Sequence, residues 1–265
     1  MNRLRRVSSA AAMAVLLCGA MMRAQNGAAL PKMAEHADPD WEVVTVKAGD
    51  PTALDASFGM NGRQFVVKRE TLGTLFLLGY GMQQRQLINS PGWITTDRWD
   101  IVGVPDTPGK PSLKQLQSLT RKLLTQRFAL VSHTEQREMD VYALTMTKGG
   151  GKMTKSTDDP SKGPQESDSA SNGERTIKMQ NASLDDLALL LKLYLDRPVV
   201  DHTGLAGRFN FQLKYMADET KVSTDPNAAP GLFTAIQEQL GLKLEPVKAP
   251  APVLVIDKVE RPSAN

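Results

Sequence analysis

Three histidines, His36, His133 and His202, are the chain's whole stock of imidazole. None has a second ligand-type residue at metal-binding spacing, since the sequence contains neither HExxH nor a Cys/His cluster. His202 stands beside Asp201 in "VVDHTG", which reads as a hydrogen-bonded turn. The single cysteine, Cys18, leaves the chain beyond it without a thiol or an internal disulfide. "GGGKMT" at Gly149–Thr154 lacks the leading glycine of a phosphate loop and places Met153 where Ser or Thr would hold magnesium. "DSASNGE" at Asp168–Glu174 lacks the alternating oxygen ligands of a calcium loop, and no GxSxG elbow offers a hydrolase serine. Asp97 and Asp100 flank Arg98 and Trp99, but acid–base work by two carboxylates needs a pocket. No catalytic residue, metal ligand or cofactor is therefore expected. The residues best suited to function form a surface: Trp93, Asp97, Arg98 and Trp99, because Trp and Arg anchor interfaces. A competing reading has both tryptophans filling the core, Trp99 above all.

The elements that position these residues follow a repeated pattern. "FVVKRETLGTLFLLGYGM" matches "IKMQNASLDDLALLLKLYL" at an offset of 112 residues. Leu72, Leu75, Phe76 and Gly79 then fall on Leu184, Leu187, Ala188 and Leu191, an i, i+3, i+4, i+7 helix face in each case. Ser183 and Asp186 make a capping box, of which Thr71 supplies only the first half. The offset also sets Ile88 on Val200 and Gly92 on Gly204. Two residues then drop out, so that "DRWDI" overlies "GRFNF". Phe209, Phe211, Leu213 and Tyr215 alternate with polar residues, as a half-buried strand requires. A second helix follows in each part: "PSLKQLQSLTRKLL" with a Ser112/Gln115 capping box, and "PGLFTAIQEQLG" stopping at Gly241. Each part ends in two strand-like runs, "RFALVSH" and "DVYALTM", then "KLEPV" and "PVLVID".

The expected fold is α+β: two related βαββαββ-type lobes, helices packed on small mixed sheets, joined by a flexible linker. The boundaries predicted are a signal peptide at 1–24, a loose segment at 25–40 and a first lobe at 41–147. A disordered linker at 148–174, a second lobe at 175–259 and a tail at 260–265 complete the chain. The linker assignment rests on composition, because Gly, Ser, Pro, Lys and Asp cannot bury enough apolar surface to offset ordering entropy.

Three arginines, an apolar run from about Ala10 to Met22 and Ala24 have the order of a secretory signal. The run is shorter than the ~20 residues that span a bilayer, so no transmembrane segment is expected once the signal is removed. Without residues 1–24 the chain has 28 basic and 29 acidic residues, a net of −1. That balance argues against nucleic-acid binding, which depends on neutralising phosphates.

"WEVVTVKAG", "GWITTDRWDIVG", "LLTQRFALVSHTEQREMDVYALTMTKGG", "RPVVDHTGLAGRFNFQLKY" and "LFTAIQEQLGLKLEPVKAPAPVLVIDKVERPSAN" resemble the soil-associated family of secreted bacterial proteins, a domain of unknown function. Ser183–Asp257 is also similar to the short N-terminal domain of secretins and TonB-dependent receptors, departing from it at Met216–Pro230. That likeness implies a periplasmic module that makes protein contacts and catalyses nothing. The resemblance to the soil-associated family, some of whose members are joined to membrane-bound zinc metallopeptidases, would imply a sensing ectodomain instead. It would work with such a peptidase in trans, since this chain has no peptidase motif. The function expected is thus that of an exported, periplasmic or extracellular, non-enzymatic module binding an envelope protein or cell-wall component. The alternatives are a ligand-sensing ectodomain working with a membrane-bound metallopeptidase and, third, a periplasmic hydrolase.

Overall fold

A computed structural model of the chain describes residues 30–52, 55–171, 173–217 and 228–262. The expected signal peptide, most of the Met216–Pro230 insertion and the last three residues lie outside the described residues. The first half contains β1 (Trp41–Ala48), β2 (Ser57–Asn61), β3 (Gln64–Glu70), α1 (Leu72–Tyr80) and β4 (Leu87–Ile88). It continues with α2 (Trp93–Thr96), β5 (Trp99–Pro105), α3 (Leu113–Phe128) and β6 (Val131–Met146). The second half holds β7 (Thr154–Lys155), β8 (Gln165–Ser171), β9 (Glu174–Ala182), α4 (Leu184–Leu191) and β10 (Val199–Asp201). It ends with β11 (Phe209–Met216), α5 (Leu232–Ala235, continued by a π-helical turn at Ile236–Leu240) and β12 (Leu242–Lys258). Helices and sheets together make the fold α+β.

The helices form where the apolar spacing dictates. α1 buries Leu72, Leu75, Phe76 and Gly79, and α4 buries Leu184, Leu187, Ala188 and Leu191. Ser183 closes its capping box with Asp186, whereas the Thr71 side chain makes no cap hydrogen bond. α3 starts on the Ser112/Gln115 box and buries Leu119, Leu123, Leu124 and Phe128, leaving Leu113 exposed. The second-half helix ends at Gly241, whose φ of +68° an L side chain would strain.

Two antiparallel sheets carry these helices, ordered β1-β5-β3-β2 and β7-β11-β9-β8. Their registers correspond in detail. Trp99 pairs with Glu70 and Ile101 with Val67, while Phe209 pairs with Ala182 and Phe211 with Met179. The bulge between those pairs holds a non-glycine residue at positive φ in both sheets, Arg69 at 52° and Asn181 at 54°.

A third sheet, β10-β6-β12-β4, takes strands from both halves. β6 and β12 run antiparallel along almost their full lengths. β4 pairs in parallel with β12 (Leu87 opposite Leu254), and β10 pairs in parallel with β6 (Val199 opposite Tyr142). Each half therefore contributes its short strand to the other half's long one, and the strands do not segregate into lobes at 41–147 and 175–259. The paired runs expected at each half's end are one strand, because backbone pairing carries β6 across its polar middle, Thr134–Glu138. Gln83 Nε2 ties the halves further by donating to the carbonyls of Lys192 (2.9 Å) and Leu195 (2.7 Å).

Two further expectations change. The 148–174 stretch contains β7 and β8, the latter paired along its length with β9. Every residue of β8 is exposed as a whole, although the Glu166 and Asp168 carboxylates turn toward the sheet's buried face. The backbone ladder orders a segment with almost no apolar side chain to bury. Within the segment expected to be loose, Met33 is buried, its N–H donating to the Lys110 carbonyl (2.8 Å), and Gln115 Nε2 holds the Ala34 carbonyl (2.8 Å). Among the described residues no helix is long and apolar enough to cross a membrane.

Candidate interaction surface

Trp99 lies in the core, 7% exposed, edge-on to Phe128 at 5.4 Å between ring centroids. The register of β5 requires this, since Trp99 and Ile101 share the inward face. Arg98 works on the neighbouring strand, donating from Nη1 to the Arg69 carbonyl (2.8 Å). Asp100 Oδ1 accepts from the Arg69 backbone N–H (2.8 Å). The second half repeats this clamp: Arg208 Nη1 donates to the Asn181 carbonyl (2.6 Å), and Asn210 Oδ1 accepts from the Asn181 N–H (2.8 Å). Arg98 and Asp100 thus satisfy the backbone groups that the bulge turns out of the ladder. Trp93 is half-buried on α2, its ring 6.5 Å from that of Trp99. The Arg261 guanidinium covers Trp93 at 4.9 Å and donates from Nε to Asp97 Oδ2 (2.7 Å). Of the four residues singled out by sequence, Trp93 and Asp97 meet at the surface beneath the C-terminal segment. Arg98 and Trp99 serve the sheet and the core.

A different surface is open. On the outward face of the first sheet, Val43 opposes Val104, Thr45 opposes Val102, and Val102 opposes Val66. Val43 is 53% exposed and Val102 37%, while Val66 and Val104 are half-buried. Lys47, Lys68 and Asp100 rim this stripe. At the corresponding places the second sheet carries Lys178 for Val66, Gln212 for Val102 and Lys214 for Val104, with Ser167 opposite Lys178. Two sheets of the same order thus differ in what they show to solvent, so the fold does not demand valine there. Sequence reasoning missed this face because "WDIVGVP" is an almost unbroken apolar run that hides its outward members. Setting Val102 and Val104 against Gln212 and Lys214 is the signal that finds them.

The sheet edges are less open. β4 and β10 are two and three residues long. Glu166 and Asp168 of β8 lie opposite the buried Met179 and Ile177, so an edge strand turns carboxylates inward. Asp168 engages Arg175 Nε with both oxygens (3.0 and 2.9 Å), and Arg175 lies over the Tyr194 ring at 4.7 Å. Burial, then the nearby Asp168 charge, raises the Glu166 carboxyl, and burial raises the Tyr215 phenol. At β1, Arg127 Nη1 donates to the Val44 carbonyl (3.0 Å).

His133 stands between two carboxylates, with Nδ1 2.9 Å from Asp257 Oδ2 and Nε2 3.2 Å from Glu135 Oε1. Those contacts, Asp257 first, raise its pKa. The imidazole is half exposed, and no hydroxyl is among its hydrogen-bond partners. Asp201 Oδ1 accepts from the Thr203 N–H (2.8 Å), which makes the "VVDHTG" turn a hydrogen-bonded one. Among the described residues no group of three His, Cys, Asp or Glu side chains could hold a metal ion.

Fold and surface together define an α+β protein in which two antiparallel sheets of like order share a third sheet. The chain belongs to the family described as Protein of unknown function (DUF3738), which it matches over residues 73–259. No curated protein and no solved structure matches it.

Proposed function

We propose that this chain is an exported, non-enzymatic module of the bacterial envelope that docks a protein partner on the outward face of its first sheet. The observation that carries the reading is the valine stripe of Val43, Val66, Val102 and Val104, set against Lys178, Gln212 and Lys214 in the second sheet. Apolar area left in water costs about 25 cal/mol per Å², so a face that keeps it where its counterpart is polar has a use beyond folding. The partner is an aliphatic protein surface with mixed charge at its rim, complementary to Lys47, Lys68 and Asp100. Export rests on the order of residues 1–24, and cell fractionation of the tagged chain tests it.

The two halves are, in this reading, copies of one βαββαββ-type unit that exchanged their short strands. Matching bulges, matching Arg98 and Arg208 clamps, and the equivalent pairs Leu87/Leu254 and Val199/Tyr142 support that origin. After duplication one copy's outward face stayed apolar or became so. In-cell cross-linking of the tagged protein, wild type against Val43→Lys/Val102→Lys, tests the docking face. A cross-linked species that disappears in the double variant, at unchanged melting temperature, supports the proposal; a species that persists refutes it.

A further inference from the structure

The strand pair at the centre of the molecule connects the two cores through a polar gap. Along one face of β12, Leu244 belongs to the second-half core, while Leu254 and Ile256 belong to the first-half core. Lys248 has the same parity as these residues and falls between them, directly opposite Asp140. Here a depression of about 280 Å³ is lined by Arg85, Glu138, Met139, Asp140 and Lys248. That volume is near the lower end of small-molecule sites, which begin at about 300 Å³.

The charges in it are unspent. The side chains of Glu138, Asp140 and Lys248 make no hydrogen bond or ion pair among the described residues, although Asp140 and Lys248 face one another across the ladder. Arg85 has only a long contact, 3.8 Å, to Asp196. Its counterpart at the 112-residue offset, Arg197, is differently placed: its guanidinium lies 5.5 Å from the Tyr142 ring centre and its Nε 3.6 Å from Asp196. The place equivalent to Tyr142 is Leu254, so Arg85 has no ring to lie on and remains 61% exposed. One arginine of the matched pair is committed to structure and the other is left at the hollow.

We propose that this depression binds a zwitterion of amino-acid or short-peptide size, with its carboxylate on Arg85 and Lys248 and its ammonium on Asp140 and Glu138. A simple anion would bring its charge against two carboxylates, and a simple cation against two basic groups. Only a ligand with both charges, a few ångströms apart, satisfies both pairs. This assignment is independent of the valine face, which lies on another sheet.

The test is calorimetric titration of the signal-free chain with alanyl-alanine, N-acetyl-alanyl-alanine and alanyl-alanine amide. Saturable binding of the free dipeptide is expected, with each blocked form roughly tenfold weaker, the effect of losing one charge-assisted contact. Arg85→Gln/Lys248→Gln should weaken the free dipeptide by about tenfold or more while leaving melting unchanged, since both side chains are exposed. Asp140→Asn/Glu138→Gln should do the same. Absence of saturable binding of the dipeptide at millimolar concentration overturns the proposal, as does equal affinity for all three forms. Because that comparison uses only the unmutated chain, it decides the matter even if a variant folds poorly.

Discussion

Asp100→Ala is the most informative single change, because the protein contains its own control. Asp100 Oδ1 accepts the Arg69 N–H at 2.8 Å, where the bulge takes that N–H out of the strand ladder. Removing the acceptor leaves a part-buried backbone donor unpaired and forfeits a hydrogen bond to a charged group, a loss of about 1.5–3 kcal/mol. Asp100→Asn keeps an oxygen at the same place. Asn210 already does this work in the second sheet, accepting the Asn181 N–H at the same 2.8 Å. Asp100→Asn should therefore cost less than about 1 kcal/mol, the difference between a charged and a neutral acceptor. Urea unfolding of both variants against wild type, at constant m-value, measures the two costs. In a chain of this size they correspond to melting shifts of roughly 3–10 °C for the alanine variant and at most a few degrees for the asparagine variant. If the two substitutions are equally damaging, or if Asp100→Ala is neutral, the bulge clamp is not what Asp100 supplies.

Gly241→Ala should destabilise by at least about 2 kcal/mol, seen as a lowered urea midpoint. The residue holds φ +68°, and an added Cβ would come 2.1 Å from the Gly150 carbonyl oxygen. His133→Gln should lower stability at acid pH and leave it unchanged in mildly alkaline solution. A raised folded pKa contributes stability that is complete below the unfolded value near 6.5 and is lost as pH rises through the folded one. Unfolding midpoints measured from pH 5 to 9, with Glu135, Arg137 and Asp257 retained, give the profile. Arg261→Ala should uncover the half-buried Trp93, read as a red shift in tryptophan emission with little loss of stability.

Much of the local structure is written in short-range pattern. The buried faces of α1 and α4, the Ser112 and Ser183 caps and the β11 alternation emerge from spacing alone, since each depends on neighbours within a turn or two. What spacing does not encode is partnership over long separations. β4 is two residues long and has no periodicity to detect, yet it completes a sheet with β12. Pro246, Pro250 and Pro252 argue against one long strand, but they share a parity and direct their ring nitrogens away from β6. The Pro252 carbonyl points the same way and accepts from Gln86 Nε2 (2.8 Å). β8 escapes a composition argument because its order comes from main-chain groups, which every sequence has. Among the surface residues, "DRWDI" was legible as special, but its purpose was not. Arg98 and Asp100 serve a backbone segment some thirty residues away, and only the folded register brings them to it.

The exchange of short strands has a consequence for synthesis. β4 finds its partner at Leu254 and Val255, far along the sequence in the second half. A nascent polypeptide can build its hairpins and lay helices on them early, but the first core stays unsealed until β12 supplies Leu254 and Ile256. Assembly of the first core thus waits on distant sequence: a chain cut before β12 would lose the partner of β4, and contacts spanning so much sequence predict slow maturation relative to helical proteins of the same length.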